Sequence, residues 1–214
     1  MGSVYSVKEV FYSLQGEGAR SGRPAVFCRF SGCNAWSGRE LDKADSACPF
    51  CDTDFVGVDG QNGGKYELDN LVNLLISLWP QDKICKSKPY VVFTGGEPLL
   101  QLNEELIYAM KENDFEVAVE TNGSLPLPKG IDWVCVSPKK GLKQVILSGH
   151  ELKLLFPQKE LKPENFVDLE FQHFYLQAID DKNKSSNINK TVTYCLENPL
   201  WSYSFQLHKL LNID

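Results

Sequence analysis

The sequence predicts an α/β protein, specifically a single-domain, incomplete parallel β/α barrel of about six strands. Strand-like runs rich in Val, Phe and Tyr alternate with amphipathic helical segments, and this alternation indicates a parallel sheet. The 214 residues fit one domain better than two. The chain is also shorter than the roughly 250 residues of a complete eight-stranded barrel, so a partial barrel is expected.

Six runs have the composition of strands, and two segments have the periodicity of helices. The strand runs are 5–12, 25–31, 90–94, 115–120, 133–137 and 174–177. Apolar residues recur at i, i+3 and i+4 within 68–78 and 99–110, which predicts two helices. The polar stretch 180–190 is predicted as a surface loop, with Asn187 capping a helix that runs to Glu197. Functional side chains are expected where the parallel strands end.

Charge and hydropathy exclude two classes of partner. The net charge is −6, and no run of basic residues exceeds Lys139–Lys140, so the pattern of a nucleic-acid binder is missing. The sequence has no signal-peptide pattern and no apolar run long enough for a bilayer. We therefore expect a cytoplasmic protein with no membrane or nucleic-acid partner, and a small-molecule or protein partner instead.

Three of the seven cysteines are close enough in sequence to share a metal centre. Cys48 and Cys51 form a Cys-x-x-Cys pair, and fourteen residues separate Cys33 from Cys48. Three thiolates suit a [4Fe-4S] cluster with one iron open to a small molecule. On cysteines alone, a zinc site and a redox pair remain alternatives. The isolated cysteines are expected to be small core hydrophobes: Cys28, Cys85, Cys135 and Cys195.

A second motif follows the predicted strand at 90–94. This strand leads into Thr94-Gly95-Gly96-Glu97-Pro98. Adjacent glycines let the backbone approach a ligand closely, and Glu97 can pair with an ammonium group. Alone, the motif could also be a turn that opens the next helix, because proline suits a first helical position.

Six short segments follow one another along the chain: 13–18 (SLQGEG), 27–34 (FCRFSGCN), 51–54 (CDTD), 94–98 (TGGEP), 120–123 (ETNG) and 137–139 (SPK). Taken in this order, they resemble the 7-carboxy-7-deazaguanine synthase family of the radical S-adenosylmethionine superfamily. The resemblance covers nearly all of the chain and implies one radical S-adenosylmethionine core domain over residues 1–214.

The chain departs from the resembled pattern in two places. The superfamily usually has three and then two residues between its cysteines, whereas this chain has fourteen and then two, with an insertion at 34–47. The sequence leaves the conformation of this insertion open. In addition, Ala178 stands where a proline is more common, a difference that concerns the backbone shape at that position more than its contacts.

The resemblance implies a reaction. It is the conversion of 6-carboxy-5,6,7,8-tetrahydropterin to 7-carboxy-7-deazaguanine, a radical ring contraction with loss of ammonia, on the way to queuosine-type nucleosides. The implied cofactors are a [4Fe-4S] cluster, S-adenosylmethionine and Mg²⁺. The implied partners are the pterin substrate, a flavodoxin-like electron donor and a second copy in a homodimer. Because the cofactor carries the difficult chemistry, no side chain is predicted as a catalytic acid or base.

The resemblance also assigns binding residues by position. The cluster ligands are Cys33, Cys48 and Cys51, and the Mg²⁺ contact is Thr53. The S-adenosylmethionine contacts are Gly96, Glu97, Ser137, Pro138, Lys139, Gln177, Ala178, Ile179 and Asp180. The substrate contacts are Leu14, Gln15, Gly16, Arg29, Thr94 and the terminal Asp214. Glu120 and Asn122 also end a predicted strand and are weaker candidates. The planar fork of an arginine suits the substrate's carboxylate.

Two other functions compete with this assignment. Within the superfamily, a short activating enzyme that installs a glycyl radical on a partner protein is the alternative. From another class comes a non-catalytic zinc-binding module that uses the three thiolates and one histidine. Visible absorption separates a cluster from zinc.

Overall fold

The computed structural model describes residues 2–80 and 87–213. Within these residues the strands are β1 (Val4–Leu14), β2 (Pro24–Phe30), β3 (Gly64–Glu67), β4 (Tyr90–Gly95), β5 (Glu116–Thr121), β6 (Trp133–Val136), β7 (Ser148–Phe156), β8 (Glu170–Ala178) and β9 (Trp201–Ser204). The α-helices are α1 (Leu68–Leu78), α2 (Glu104–Glu112), α3 (Lys184–Glu197) and α4 (Leu207–Leu211). The predicted α/β class is confirmed.

The described strands form one sheet in the order β3-β1-β2-β4-β5-β6-β7-β8-β9. β1 is antiparallel to both of its neighbours, and every pair from β2 to β9 is parallel. Seven described strands therefore run in one direction, one more than the six predicted. The open order is consistent with an incomplete barrel. The carboxyl ends of these strands meet at one edge, which is where ligands bind in such sheets.

The sequence patterns missed three of the described strands. β7 was missed because Glu151 and Lys153 interrupt its apolar pattern, although both side chains are buried. β3 and β9 have only four residues each, too few to show a period. All six predicted strand runs are present, with boundaries that shift by a few residues.

Two helix predictions were wrong at their boundaries. The stretch 180–190 is not a loop throughout, because α3 begins at Lys184 and contains Asn187. The Asn187 amide is buried and donates to the backbone oxygen of Ile179 at 2.9 Å, which fixes the start of α3 against the end of β8. The second helix begins at Glu104, after Asn103 caps it by accepting from the Leu106 amide at 3.0 Å.

The core lies between the sheet and the helices. Leu71 and Leu75 of α1 and Leu106, Ile107 and Met110 of α2 have no solvent exposure. Burying each such side chain stabilises the fold by about 1.5–3 kcal/mol. Cys28 is fully buried in this core, as expected, whereas Cys85 lies outside the described residues. No helix in the described part of the chain is long and apolar enough to cross a membrane.

The β1–β2 connection reaches across to the last strands of the sheet. The Gly18 amide donates to Ser204 of β9 at 3.1 Å, and the Ala19 amide donates to Glu151 of β7 at 3.0 Å. The Arg20 guanidinium lies 4.0 Å from the ring centre of Trp133 in β6. Because one short loop contacts three distant strands, the sheet must curve around it, and the loop forms one wall of the site.

Candidate active site

Two adjoining cavities lie at the carboxyl edge of the parallel strands. The larger, of about 370 Å³, contains Arg29 and is called the arginine cavity. The smaller, of about 170 Å³, is lined by Cys33, Cys48 and Cys51 and is called the cysteine cavity; Cys135, predicted as a core residue, lines it too. Their linings share Glu17, Asp52, Thr53, Thr94, Glu120 and Gln206, so the two form one continuous site.

All three predicted cluster ligands face the cysteine cavity. A tight turn holds the Cys-x-x-Cys pair, with the Cys51 amide donating to the Cys48 carbonyl at 3.1 Å. The hydrogen bond between the two thiols lowers the pKa of Cys51 to about 6 and raises the pKa of Cys48. Burial raises the pKa of Cys33. One thiol of the pair therefore ionises readily, which suits metal binding.

These cysteines fit an iron-sulfur cluster better than a single metal ion. Soft thiolates are the ordinary ligands of such clusters. Within residues 2–80 and 87–213, no group of three or more His, Cys, Asp or Glu is arranged to hold one metal ion. No histidine lines the cysteine cavity either. The zinc alternative therefore finds no histidine there to act as its fourth ligand.

The insertion 34–47 forms a closed loop, so its length does not separate the cysteines in space. The Ala47 amide donates to the Ala35 carbonyl at 3.1 Å, which joins the two ends of the loop. Trp36 packs edge-on against Phe55 with ring centres 5.5 Å apart. Asn122 donates to the Asn34 side chain at 2.8 Å, which ties the loop to the end of β5.

The two glycines of the Gly-Gly-Glu motif let β4 lie directly against the end of β2. Gly95 has φ +138°, and a Cβ there would overlap the Phe30 carbonyl oxygen. A Cβ on Gly96 would overlap the Gly32 carbonyl oxygen and lie 2.7 Å from the Cβ of Cys33. Gly96 lines the cysteine cavity, so its backbone can approach a ligand there.

Glu97 lies behind the cavity and is absent from the linings of both cavities. It has no solvent exposure. Its carboxylate accepts hydrogen bonds from Thr121 Oγ1 at 2.6 Å, the Asn122 amide at 2.8 Å and the Leu99 amide at 3.0 Å. Burial raises the pKa of Glu97. In this structure Glu97 joins the ends of β4 and β5, whereas the sequence motif predicts the ammonium group of a ligand as its partner.

The other predicted S-adenosylmethionine contacts divide into two groups. Ser137, Lys139 and Gln177 line the cysteine cavity together with Gly96, and Lys139 Nζ donates to Ser137 Oγ at 2.7 Å. The remaining residues are absent from this lining: Pro138, Ala178, Ile179 and Asp180. Asp180 is instead ion-paired with two lysines, Lys184 and Lys209.

The predicted substrate contacts converge on the arginine cavity, apart from Asp214, which lies outside the described residues. Its lining includes Leu14, Gln15, Gly16, Arg29 and Thr94. Arg29 Nε donates to Glu9 at 2.7 Å, and no other hydrogen bond of this guanidinium occurs within the described chain. The Phe11 and Phe27 rings stack in the same lining, with centres 5.2 Å apart.

Glu120 has a more central position than its sequence pattern indicated. It lines both cavities at the end of β5. Gln15 Nε2 donates to one of its oxygens at 2.9 Å, and Thr94 Oγ1 donates to the other at 3.3 Å. Two predicted substrate contacts therefore hold this carboxylate in place. Its position at a strand end was the signal that could have ranked it higher.

An ion pair between the half-buried Glu17 and the buried Lys153 was not predicted, and it closes the site on its inner side. The two charges are in direct contact, and Glu17 also accepts from Gln177 Nε2 at 2.9 Å and Gln206 Nε2 at 3.2 Å. Burial opposes ionisation of Glu17, but the Lys153 charge outweighs it and lowers the pKa of Glu17. Burial likewise opposes the charge on Lys153, whose pKa Glu17 raises.

The chain is similar over its whole length to curated enzymes called 7-carboxy-7-deazaguanine synthase. It is 54% identical over 211 residues to the one from Bordetella pertussis, covering 98% of this chain and 99% of the relative. It is 51% identical over 214 residues to the one from Caulobacter vibrioides, with the same coverage.

A solved structure has the same fold. The crystal structure of QueE from Escherichia coli matches with a TM-score of 0.70 and 22% identity, over 96% of this chain and 95% of that one. At this identity the likeness concerns the fold. A search of family models found no match.

Proposed function

The chain belongs to the 7-carboxy-7-deazaguanine synthase family, and from this we propose that it converts 6-carboxy-5,6,7,8-tetrahydropterin to 7-carboxy-7-deazaguanine with loss of ammonia. This makes it an enzyme of the queuosine pathway and of the radical S-adenosylmethionine superfamily. One observation carries the proposal beyond the family name. A cavity lined by the three predicted cluster cysteines opens into a second cavity with an arginine and two stacked phenylalanines.

The cysteine cavity would hold the cofactors. Cys33, Cys48 and Cys51 would ligate a [4Fe-4S] cluster, and Gly96 with Ser137, Lys139 and Gln177 would contact S-adenosylmethionine. When bound, these two groups supply the one-electron chemistry that starts the reaction. The chain binds and orients the reactants and excludes water. Glu97 takes part indirectly, because its hydrogen bonds fix the strand ends beside Gly96.

The arginine cavity would hold the pterin. The guanidinium of Arg29 presents paired donors for the substrate's carboxylate, and Glu9 fixes its orientation through Nε. Phe11 and Phe27 offer an apolar wall for a flat ring. Glu120 offers acceptor oxygens for N–H groups of the heterocycle, held in place by Gln15.

Magnesium would bind beside the cysteine turn. Thr53 lines both cavities, between the carboxylates of Asp52 and Asp54. A hydroxyl is a hard oxygen ligand, and Mg²⁺ completes its shell with water and substrate oxygens. The position of Thr53 in both linings supports it as the protein ligand of a Mg²⁺ ion that would also bind the substrate.

The flavodoxin-like electron donor, the homodimer and the cytoplasmic location are further parts of the proposal. Each is supported by the resemblance of the sequence motifs to the family. Contact of the terminal Asp214 with substrate is proposed on the same basis.

Reconstitution and complementation test the proposal together. Anaerobic loading with iron and sulfide should give visible absorption that changes when S-adenosylmethionine is added. Expression in a bacterium that lacks its own 7-carboxy-7-deazaguanine synthase should restore queuosine in its tRNA, as measured by mass spectrometry. A coloured protein that restores no queuosine would refute the proposed substrate, and a colourless zinc protein would refute the chemistry.

A further inference from the structure

Lys209 joins three parts of the site wall, and we propose that it is a positioning residue for substrate binding. It holds the helix α4 against Asp52, which follows the turn of Cys48 and Cys51, and against Asp180, beyond the end of β8. This inference rests on the proposed function, because the wall that Lys209 assembles belongs to the cavity assigned to the pterin.

One ammonium group contacts two carboxylates from distant parts of the chain. Lys209 Nζ lies 2.8 Å from Asp52 Oδ2 and 2.7 Å from Asp180 Oδ2. Asp52 stands between Cys51 and Thr53, and Asp180 follows β8 by two residues. Burial opposes the charge on Lys209, but the two aspartates outweigh it and raise its pKa. The Asp180 pKa is lowered, chiefly by the hydrogen bond from Lys209. Lys209 and Asp180 therefore stay ionised at neutral pH.

The helix α4 has few other attachments. It has five residues, and Leu210 and Leu211 are 71% and 52% exposed, so little apolar burial holds it. Its first amide, from Leu207, donates to the Gly16 carbonyl at 2.8 Å. The Lys209 bridge attaches α4 to Asp52 and Asp180 as well. An isolated helix of this length is not stable in water.

The position of α4 decides the shape of the arginine cavity. His208 and Lys209 line that cavity, and a Cβ on Gly16 would overlap the His208 ring. Gln206, just before the helix, donates to Glu17 at 3.2 Å. A shift of α4 would therefore move His208 and loosen the predicted substrate loop at Gly16. The cysteine ligands have their own turn and would stay in place.

The test compares Lys209→Met with Lys184→Met. Both lysines pair with Asp180. Lys184, however, lies in α3, and its ion pair with Asp180 Oδ2, at 3.1 Å, joins residues only four apart in the sequence. For Lys209→Met, KM for the pterin should rise about tenfold while kcat stays within about twofold of wild type. Lys209→Arg should restore part of the affinity because it keeps the charge. Lys184→Met should match wild type.

Hydrogen exchange gives a second readout that needs no bound cofactor. Amides that donate to the carbonyls of Gln206, which caps α4, and of His208 within it should exchange faster in Lys209→Met, namely Lys209, Leu210 and Ile213. Unchanged exchange would show that the bridge does not hold the helix. An unchanged KM, a fall in kcat alone, or the same effect in Lys184→Met would also overturn the inference. If wild type itself makes no product, the proposed function fails, and the exchange experiment still decides whether Lys209 holds α4.

Discussion

Two carboxylates at this site have pKa values that shift in opposite directions because their neighbours differ. Glu17 contacts the ammonium of Lys153, so its pKa is lowered even though burial opposes ionisation. Glu97 meets only neutral donors directly, and burial raises its pKa. Glu17 is therefore a fixed negative charge on the inner wall of the site. Glu97 serves as a hydrogen-bond acceptor between two strand ends.

Replacing Cys33 should abolish cluster binding. A serine at this position removes one of the three thiolate ligands, and the remaining two are too few to hold a stable [4Fe-4S] cluster. Cys33→Ser should lose the visible absorption and most of the iron after anaerobic reconstitution. Cys28→Ser is the matched control, because Cys28 is fully buried away from the cavity. If Cys33→Ser kept its colour, another residue would have to be the third ligand.

Replacing Arg29 by lysine should weaken substrate affinity. Lysine lacks the planar fork and the Nε donor that Glu9 accepts. KM for the pterin should rise about tenfold or more, while slow cleavage of S-adenosylmethionine without pterin stays at the wild-type rate. Steady-state kinetics measure KM for the pterin, and an assay for 5'-deoxyadenosine measures the cleavage of S-adenosylmethionine. Equal loss of both activities would instead make Arg29 a residue of the fold or of the cluster site.

At the scale of elements, the contact between the ends of β2 and β4 sets the cysteine geometry. Gly96→Ala should place a methyl group against the Gly32 carbonyl and push Cys33 away. The free energy of unfolding should fall by about 1–3 kcal/mol, and the bound iron should fall too. Leu106→Ala is the control, because it destabilises the core by a similar amount, about 2–5 kcal/mol, without touching this contact. Equal iron loss in both variants would contradict the role given to the glycine.

The β1–β2 connection is attached to β5 by an ion pair that should make stability depend on pH. Glu116 lies 2.5 Å from Arg20 and 2.6 Å from Arg23. Burial raises its pKa, but the two arginines outweigh burial and lower the pKa below 4.5. The native state therefore favours the ionised form more than the unfolded chain does. The stabilisation is complete above pH 4.5 and is lost as the pH falls through the native-state pKa.

Glu116→Gln tests this linkage. At about pH 6 the variant should be less stable than wild type by about 1 kcal/mol, measured by urea unfolding. The difference should shrink as the pH falls below 4.5. Glu112→Gln, at the exposed end of α2, is the control. A difference that stayed constant down to the acid range would mean that the arginines do not hold Glu116 ionised.

At the scale of the whole molecule, local sequence patterns predicted the strands and motifs whose signal lies within a short stretch of the chain. Strands buried on both faces, such as β4, are continuous apolar runs and were found. β7 was not found, because the charged residues Glu151 and Lys153 interrupt its apolar run although both are buried. The Cys-x-x-Cys pair and the two glycines of the Gly-Gly-Glu motif were also recognisable, because each motif is only a few residues long.

The ion pairs of the site could not be predicted from local sequence patterns. Glu17 and Lys153 are 136 residues apart, and Lys209 and Asp52 are 157 apart. No local period or spacing connects such pairs, because only the curvature of the sheet brings them together. The closure of the insertion 34–47 is another property of the folded chain, since it depends on Ala35 meeting Ala47.

Turnover by the purified enzyme tests the central claim most directly. The reconstituted protein, reduced under anaerobic conditions, is given 6-carboxy-5,6,7,8-tetrahydropterin, S-adenosylmethionine and Mg²⁺, and the products are separated and identified by mass. We predict 7-carboxy-7-deazaguanine from the wild type and none from Cys33→Ser. Fully loaded wild-type enzyme that cleaves S-adenosylmethionine but leaves the pterin unchanged would contradict the assignment, and a glycyl radical on a co-purified protein would replace it with an activating enzyme.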